Sequence, residues 1–200
     1  NPADGMCNET EYGAMPSWDV TAVTDMSDAF RNKFDFNGDI KDWNVSNVTN
    51  MYRMFQDVSS FNQDIGDWVV SKVTNMSGMF QDATSFNQDI GGWNVSNVTN
   101  MSKIFMDAKD FNQDIGNWIV SDVIQMDQMF KNAVSFNQDI GNWNTTKVTN
   151  MGGMFRDATS FNQDVSKWDV SMVTNMQFMF DSSDLSSDNY DKLLTAWSQL

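Results

Sequence analysis

Read as a pattern of apolar and polar positions, the chain repeats itself every 25 residues. Tryptophan stands at Trp18, Trp43, Trp68, Trp93, Trp118, Trp143 and Trp168, and phenylalanine keeps the same step from Phe30 to Phe180. A second phenylalanine column runs from Phe36 to Phe161, methionine runs from Met26 to Met176, and valine from Val23 to Val173. Collapsed to one unit, the consensus is F-N-Q-D-I-G-x-W-x-V-S-x-V-T-N-M-x-x-M-F-x-D-A-x-S. About nine apolar columns per unit are too few to bury alone, whereas stacked units share one continuous core. No insertion interrupts seven copies, as register between stacked coils demands.

The pattern predicts a single elongated repeat solenoid of stacked 25-residue coils. Asp-Ile-Gly-x-Trp-x-Val and Val-Thr-Asn-Met read as two short extended segments, with β-branched and aromatic residues clustered between Gly, Asn and Ser. The i, i+3, i+4 spacing of Met-x-x-Met-Phe-x-x-Ala reads as one helical or 3-10 turn per coil. Short parallel strands stacking at about 4.8 Å would make seven coils about 35 Å long.

Residues 1–17 read as a degenerate N-terminal coil or cap: Met15 holds the isoleucine column, but Pro16 replaces glycine and Glu11 replaces phenylalanine. Residues 18–182 form the repeat body. Residues 183–200 read as a C-terminal helical cap, begun by a serine- and aspartate-rich stretch and covering the last coil with Leu193, Leu194 and Trp197.

Composition narrows the function. Twenty-seven acids against 12 bases give a formal net charge of −15, which disfavours nucleic acid and anionic lipid as partners. Histidine is absent and Cys7 is the only cysteine, removing Ser-His-Asp and Cys-His catalysis, histidine-ligated metals and cysteine zinc clusters. A non-catalytic protein is expected. No apolar run is long enough to cross a bilayer, so no direct membrane insertion is expected and any targeting signal would lie outside this chain. Self-repulsion argues for a monomer in dilute solution, an uncapped coil end being what would reverse this.

The motif Phe-Asn-Gln-Asp-Ile-Gly-x-Trp-x-Val-Ser-x-Val-Thr-Asn-Met-x-x-Met-Phe resembles the BspA-like bacterial surface-protein repeat. That family is an irregular relative of leucine-rich repeats, common in surface lipoproteins of mycoplasmas, Listeria and other bacteria. The segment from Asn189 to Trp197 is similar to the one that often closes such arrays. The resemblance spans roughly residues 18 to 197. It implies a leucine-rich-repeat-like fold, a cell-surface or secreted location, and adhesion to a protein or glycan partner, with no catalytic activity to carry over.

Several polar columns are candidates for chemistry. Asp39, Asp64, Asp89, Asp114, Asp139 and Asp164 recur once per coil, and stacked carboxylates repel unless compensated. Each could accept backbone N–H groups in a turn, or the file could bind Ca²⁺ with Asn37, Asn62, Asn87, Asn112, Asn137 and Asn162 as further oxygen donors. No cofactor is expected apart from that Ca²⁺ alternative. Asp57, Asp82, Asp107 and Asp157 form a second acidic column, read as turn residues, and Asn50, Asn75, Asn100, Asn150 and Asn175 are read as satisfying backbone at a bend. Thr49, Thr74, Thr99 and Thr149 belong to a hydroxyl file that would suit a glycan, ice or mineral lattice, or is simply a solvent-facing strand position.

Departures from the consensus are the sharper signal. Val69 and Ile119 stand where other coils carry Asn or Asp, and Ile124 replaces threonine in the coil that holds Ile119. An apolar patch of this kind is a candidate partner contact. The aromatic and methionine columns, by contrast, are expected to be core, because each must fill the same slot in every coil.

Overall fold

The structure, a computed structural model, describes residues 15–200. Glu11 and most of the N-terminal cap predicted over residues 1–17 lie outside them. A 3-10 turn at Met15–Ser17 opens the described chain and one helix, α1 (Ser187–Trp197), closes it. Between them each 25-residue unit makes one coil lying on the coil before. Six parallel bridges join equivalent residues, from Asp25 with Asn50 through to Asn150 with Asn175.

The extended segments do not grow into strands beyond these single bridges. Turns interrupt them too often: in the second coil the Trp43 N–H closes on the Ile40 carbonyl and the Val48 N–H on that of Val45. The Met-x-x-Met-Phe stretch is not a helical turn either. In the coil that begins at Met51, the N–H groups of Met54, Gln56 and Val58 close overlapping turns onto Met51, Arg53 and Phe55, three residues back. The intervening N–H groups of Met51, Arg53, Phe55 and Asp57 instead donate to the next coil, at Asn75, Ser77, Met79 and Gln81, over 2.9–3.0 Å. Alternate groups along this turn ribbon thus serve the coil itself and its neighbour. Four such bonds recur at every one of the six junctions.

This ribbon needs a left-handed residue at the third position of two of its turns, and the sequence supplies it. The column of Asp57 has positive φ throughout, at Asn32, Asp57, Asp82, Asp107, Asn132, Asp157 and Ser182. Asp and Asn tolerate that region better than other side chains bearing a Cβ. The other left-handed column is glycine at Gly78 and Gly153 (φ +64° and +61°), yet Arg53, Lys103 and Phe178 adopt the same conformation elsewhere in it. A helix would require negative φ at all these positions, so the ribbon displaces it.

The core is a set of aromatic and aliphatic files. Phe55, Phe80, Phe105, Phe130 and Phe155 lie face to face with their equivalents at centroid separations of 5.6–5.8 Å. Within a coil the two phenylalanines are closer, 3.8–4.3 Å. Each tryptophan from Trp68 to Trp168 donates its indole N–H to the carbonyl of an isoleucine 28 residues earlier, over 3.0–3.3 Å. Burial therefore leaves no indole polar atom stranded in these coils.

At the C-terminal end Ser186 caps α1 by accepting the Asn189 N–H, and Leu193 is buried against the last coil. Trp197 is half-buried on the same core, whereas Leu194 faces solvent and is not part of the cover.

Candidate functional site

The aspartate column closes tight turns. Oδ1 of Asp39, Asp64, Asp89, Asp114, Asp139 and Asp164 accepts the backbone N–H two residues on, over 2.9–3.1 Å. At Asp164 the hydroxyl and N–H of Ser166 are the main cause of a carboxyl held below its ordinary range, and Lys192, 3.7 Å away, adds to it. In four of the six turns the third residue is a glycine packed against the neighbouring coil: a Cβ on Gly91 would stand 2.4 Å from the Asp114 carbonyl oxygen. Ser166 holds this position in the last coil, and Lys41 in the first turn of the file, so a side chain is accommodated at both ends of the column. Among the described residues no three acidic or thiol groups converge as a metal cluster.

The asparagines offered as additional donors are held in a ladder. Oδ1 of Asn37, Asn62, Asn87, Asn112 and Asn137 accepts the backbone N–H of the asparagine one coil on, over 2.9–3.0 Å. Gln88, Gln113, Gln138 and Gln163 add Nε2 bonds to the carbonyl and Oδ1 of the same asparagines. The column from Asn50 to Asn175 does a more local job: Oδ1 accepts the N–H two residues later at Tyr52, Ser77, Ser102, Gly152 and Gln177.

The threonine column lies at the surface with its hydroxyl protons directed along the stack. Oγ1 of Thr49, Thr74, Thr99 and Thr149 donates to the carbonyl one coil earlier, over 3.1–3.3 Å. With the proton engaged, each hydroxyl keeps only acceptor lone pairs for a ligand, so the file is not a lattice of donors.

Val69, Ile119 and Ile124 are exposed, by 56%, 59% and 42%. Asn44, Asn94 and Asn144, in the column of Val69 and Ile119, accept the N–H two residues on over 3.1–3.2 Å. Val69 and Ile119 cannot make that bond. Two coils therefore trade a turn-closing acceptor for a solvent-facing apolar group. Ile119 and Ile124 flank the turn closed between Val120 and Val123, both buried, so one coil carries both departures on the outside of one turn.

Two clefts sit at the ends of the stack, about 770 Å³ beside Met26, Phe30, Phe34 and Phe36 and about 420 Å³ between α1 and the last coil. None of the residues predicted as sites lines either one. Exposed Phe34 and Phe178 belong to these ends, and no periodic signal marks them: Val134 is the one other apolar residue in the first column and the second holds no other.

A family described as "Mycoplasma protein of unknown function, DUF285" matches residues 4–105 and again residues 88–197. The chain belongs to it. The two overlapping matches make this DUF285 member a tandem array, in keeping with the 25-residue period that crosses their overlap without a break. Among curated proteins none matches. The family description gives no activity.

Proposed function

We propose that this DUF285 chain is a non-catalytic adhesion or binding scaffold of the bacterial cell surface, a leucine-rich-repeat-like solenoid of the BspA-like kind. It recognises a protein or glycan through the exposed face that carries Val69, Ile119 and Ile124 beside the threonine file of Thr49, Thr74, Thr99 and Thr149. One observation carries the reading: Ile119 and Ile124 are solvent-exposed on one coil, in columns whose polar residues make structural bonds in the other coils. A site built from departures suits a particular partner better than a repeated lattice does, since only one coil presents it. The threonine hydroxyls, their protons engaged by the preceding coil, weigh in the same direction.

The test is an array of glycans and surface proteins probed with the wild-type chain and with Ile119→Asn/Ile124→Thr, which restores the consensus. Binding that the double variant loses while its melting temperature is kept supports the proposal. Binding unchanged by the double variant would place recognition elsewhere.

A further inference from the structure

The ladder along the turn ribbon has a direction. At all six junctions its four N–H groups point toward the C-terminal end of the stack and its four carbonyls toward the N-terminal end. The two ends are therefore chemically opposite. Among the described residues, the carbonyls of Asp25, Ser27, Ala29 and Arg31 in the first coil accept no hydrogen bond. The N–H groups of Met176, Phe178, Phe180 and Ser182 in the last coil donate none.

Helix α1 covers only part of the last coil. Phe161, Val165 and Trp168 are at most 1% exposed, while Val173, Met176 and Phe180 are only partly buried and Phe178 stands 63% exposed. Among the described residues the donor edge is thus left open. One opposite-charge pair lines up across the two ends: Arg31 at the acceptor edge, whose Nη1 lies 3.5 Å from Asp28, and Asp181 at the donor edge occupy the same column. Arg31 Nε is buried without a hydrogen-bond partner. Across the last internal junction, neighbours in this column already pair, with Arg156 3.4 Å from Asp181.

We infer that the donor edge of one molecule docks on the acceptor edge of a second copy, head to tail. Inside the chain each ribbon N–H bonds the carbonyl 24 residues later, as Met26 does to Asn50. Carried across two molecules, that step pairs Met176, Phe178, Phe180 and Ser182 with the carbonyls of Asp25, Ser27, Ala29 and Arg31 of the second copy. It also sets Asp181 beside the second copy's Arg31. The contact is heterologous, so it builds open chains rather than closed dimers. With α1 occupying the rest of the end, it is narrow and weak, and the charge of −15 opposes it most at low salt.

Sedimentation velocity at physiological salt, from about 10 μM to about 1 mM where weak contacts are populated, tests this. The sedimentation coefficient should rise with concentration for the wild type. It should stay flat for Arg31→Glu alone and for Asp181→Arg alone, and rise again when those two variants are mixed, because each then finds an opposite charge on the other. In a Cys7→Ser background, Asn32→Cys and Ser182→Cys chains mixed under oxidising conditions should form a disulfide between molecules. A coefficient independent of concentration in the wild type, association that Arg31→Glu leaves intact, or a mixture that stays flat and yields no disulfide would overturn the proposal.

Discussion

Asn189, in the first turn of α1, donates its Nδ2 to the carbonyl and the Oδ1 of Asn162, over 3.0 and 3.1 Å. Those are the two atoms that Gln163 takes from Asn137 one coil earlier, at 3.0 and 2.8 Å. The Ser186 N–H completes the imitation by bonding Asn162 Oδ1 at 2.9 Å, where a next coil would place an asparagine N–H. The helix thus ends the asparagine ladder by counterfeiting one more rung. Asn189→Ala should cost about 1 kcal/mol, since a pair of partly exposed acceptors is returned to water. In a chain of this size that lowers the melting temperature by about 2–4 °C, to be read by calorimetry. An unchanged melting point would mean that the apolar contacts of Leu193 and Trp197 seat the cap without this bond.

Gly91 and Gly92 are neighbours with opposite constraints. A Cβ at Gly91 would meet the Asp114 carbonyl oxygen at 2.4 Å, so admitting it needs a shift of the adjacent coil's backbone rather than of a side chain. At Gly92 nothing lies within 4 Å. Gly91→Ala should therefore destabilise by about 1–3 kcal/mol through forced separation of two coils. Gly92→Ala should be neutral or stabilise by up to about 1 kcal/mol, by restricting the unfolded chain. Denaturant midpoints of the two variants, measured side by side, check both signs.

The aspartate file is expected to serve turns rather than a metal. Each Oδ1 from Asp39 to Asp164 already holds a backbone N–H, and the asparagine oxygens in line with them hold others. Melting in millimolar Ca²⁺ and in EDTA should give the same midpoint. A rise of several degrees with calcium would restore the metal reading, because a ligand bound only by the folded chain must stabilise it.

The period of the tryptophans and phenylalanines made the core legible, since an identical slot in every coil forces an identical residue. The turn ribbon was not legible in the same way. Met-x-x-Met-Phe has helical spacing, and only the left-handed φ at Asp57 and its equivalents turns that spacing into alternating bonds within and between coils. Asp and Asn in that column were the available clue, because they are the residues that accept positive φ most readily after glycine. The exposure of Ile119 and Ile124 was readable from the columns they break. The open donor and acceptor edges were not, because backbone groups leave no mark on side-chain periodicity.

Asp82 gives the stack a measurable pH response. Burial is the main cause that pushes its carboxyl above the usual range, and the charges of Asp107 and Asp57 on either side push the same way, against the hydrogen bond from Gln81. A folded-state pKa above the unfolded one means that the native chain holds this proton more tightly. The contribution is fully favourable below the ordinary carboxylate value near 3.9 and is lost as pH rises through the raised value. At neutral pH the ionised Asp82 therefore works against the fold. Asn32 and Asn132 hold the same column at φ +61° and +55°, so asparagine suits the backbone at Asp82, whose φ is +58°. Asp82→Asn should raise stability at pH 7 by on the order of 0.5 kcal/mol, kept small because solvent screens a half-exposed charge. The gain should vanish near pH 3, where the wild-type carboxyl is neutral in both states. Urea midpoints of the two chains at both pH values decide it, and an equal gain at each pH would assign the effect to backbone preference instead of charge.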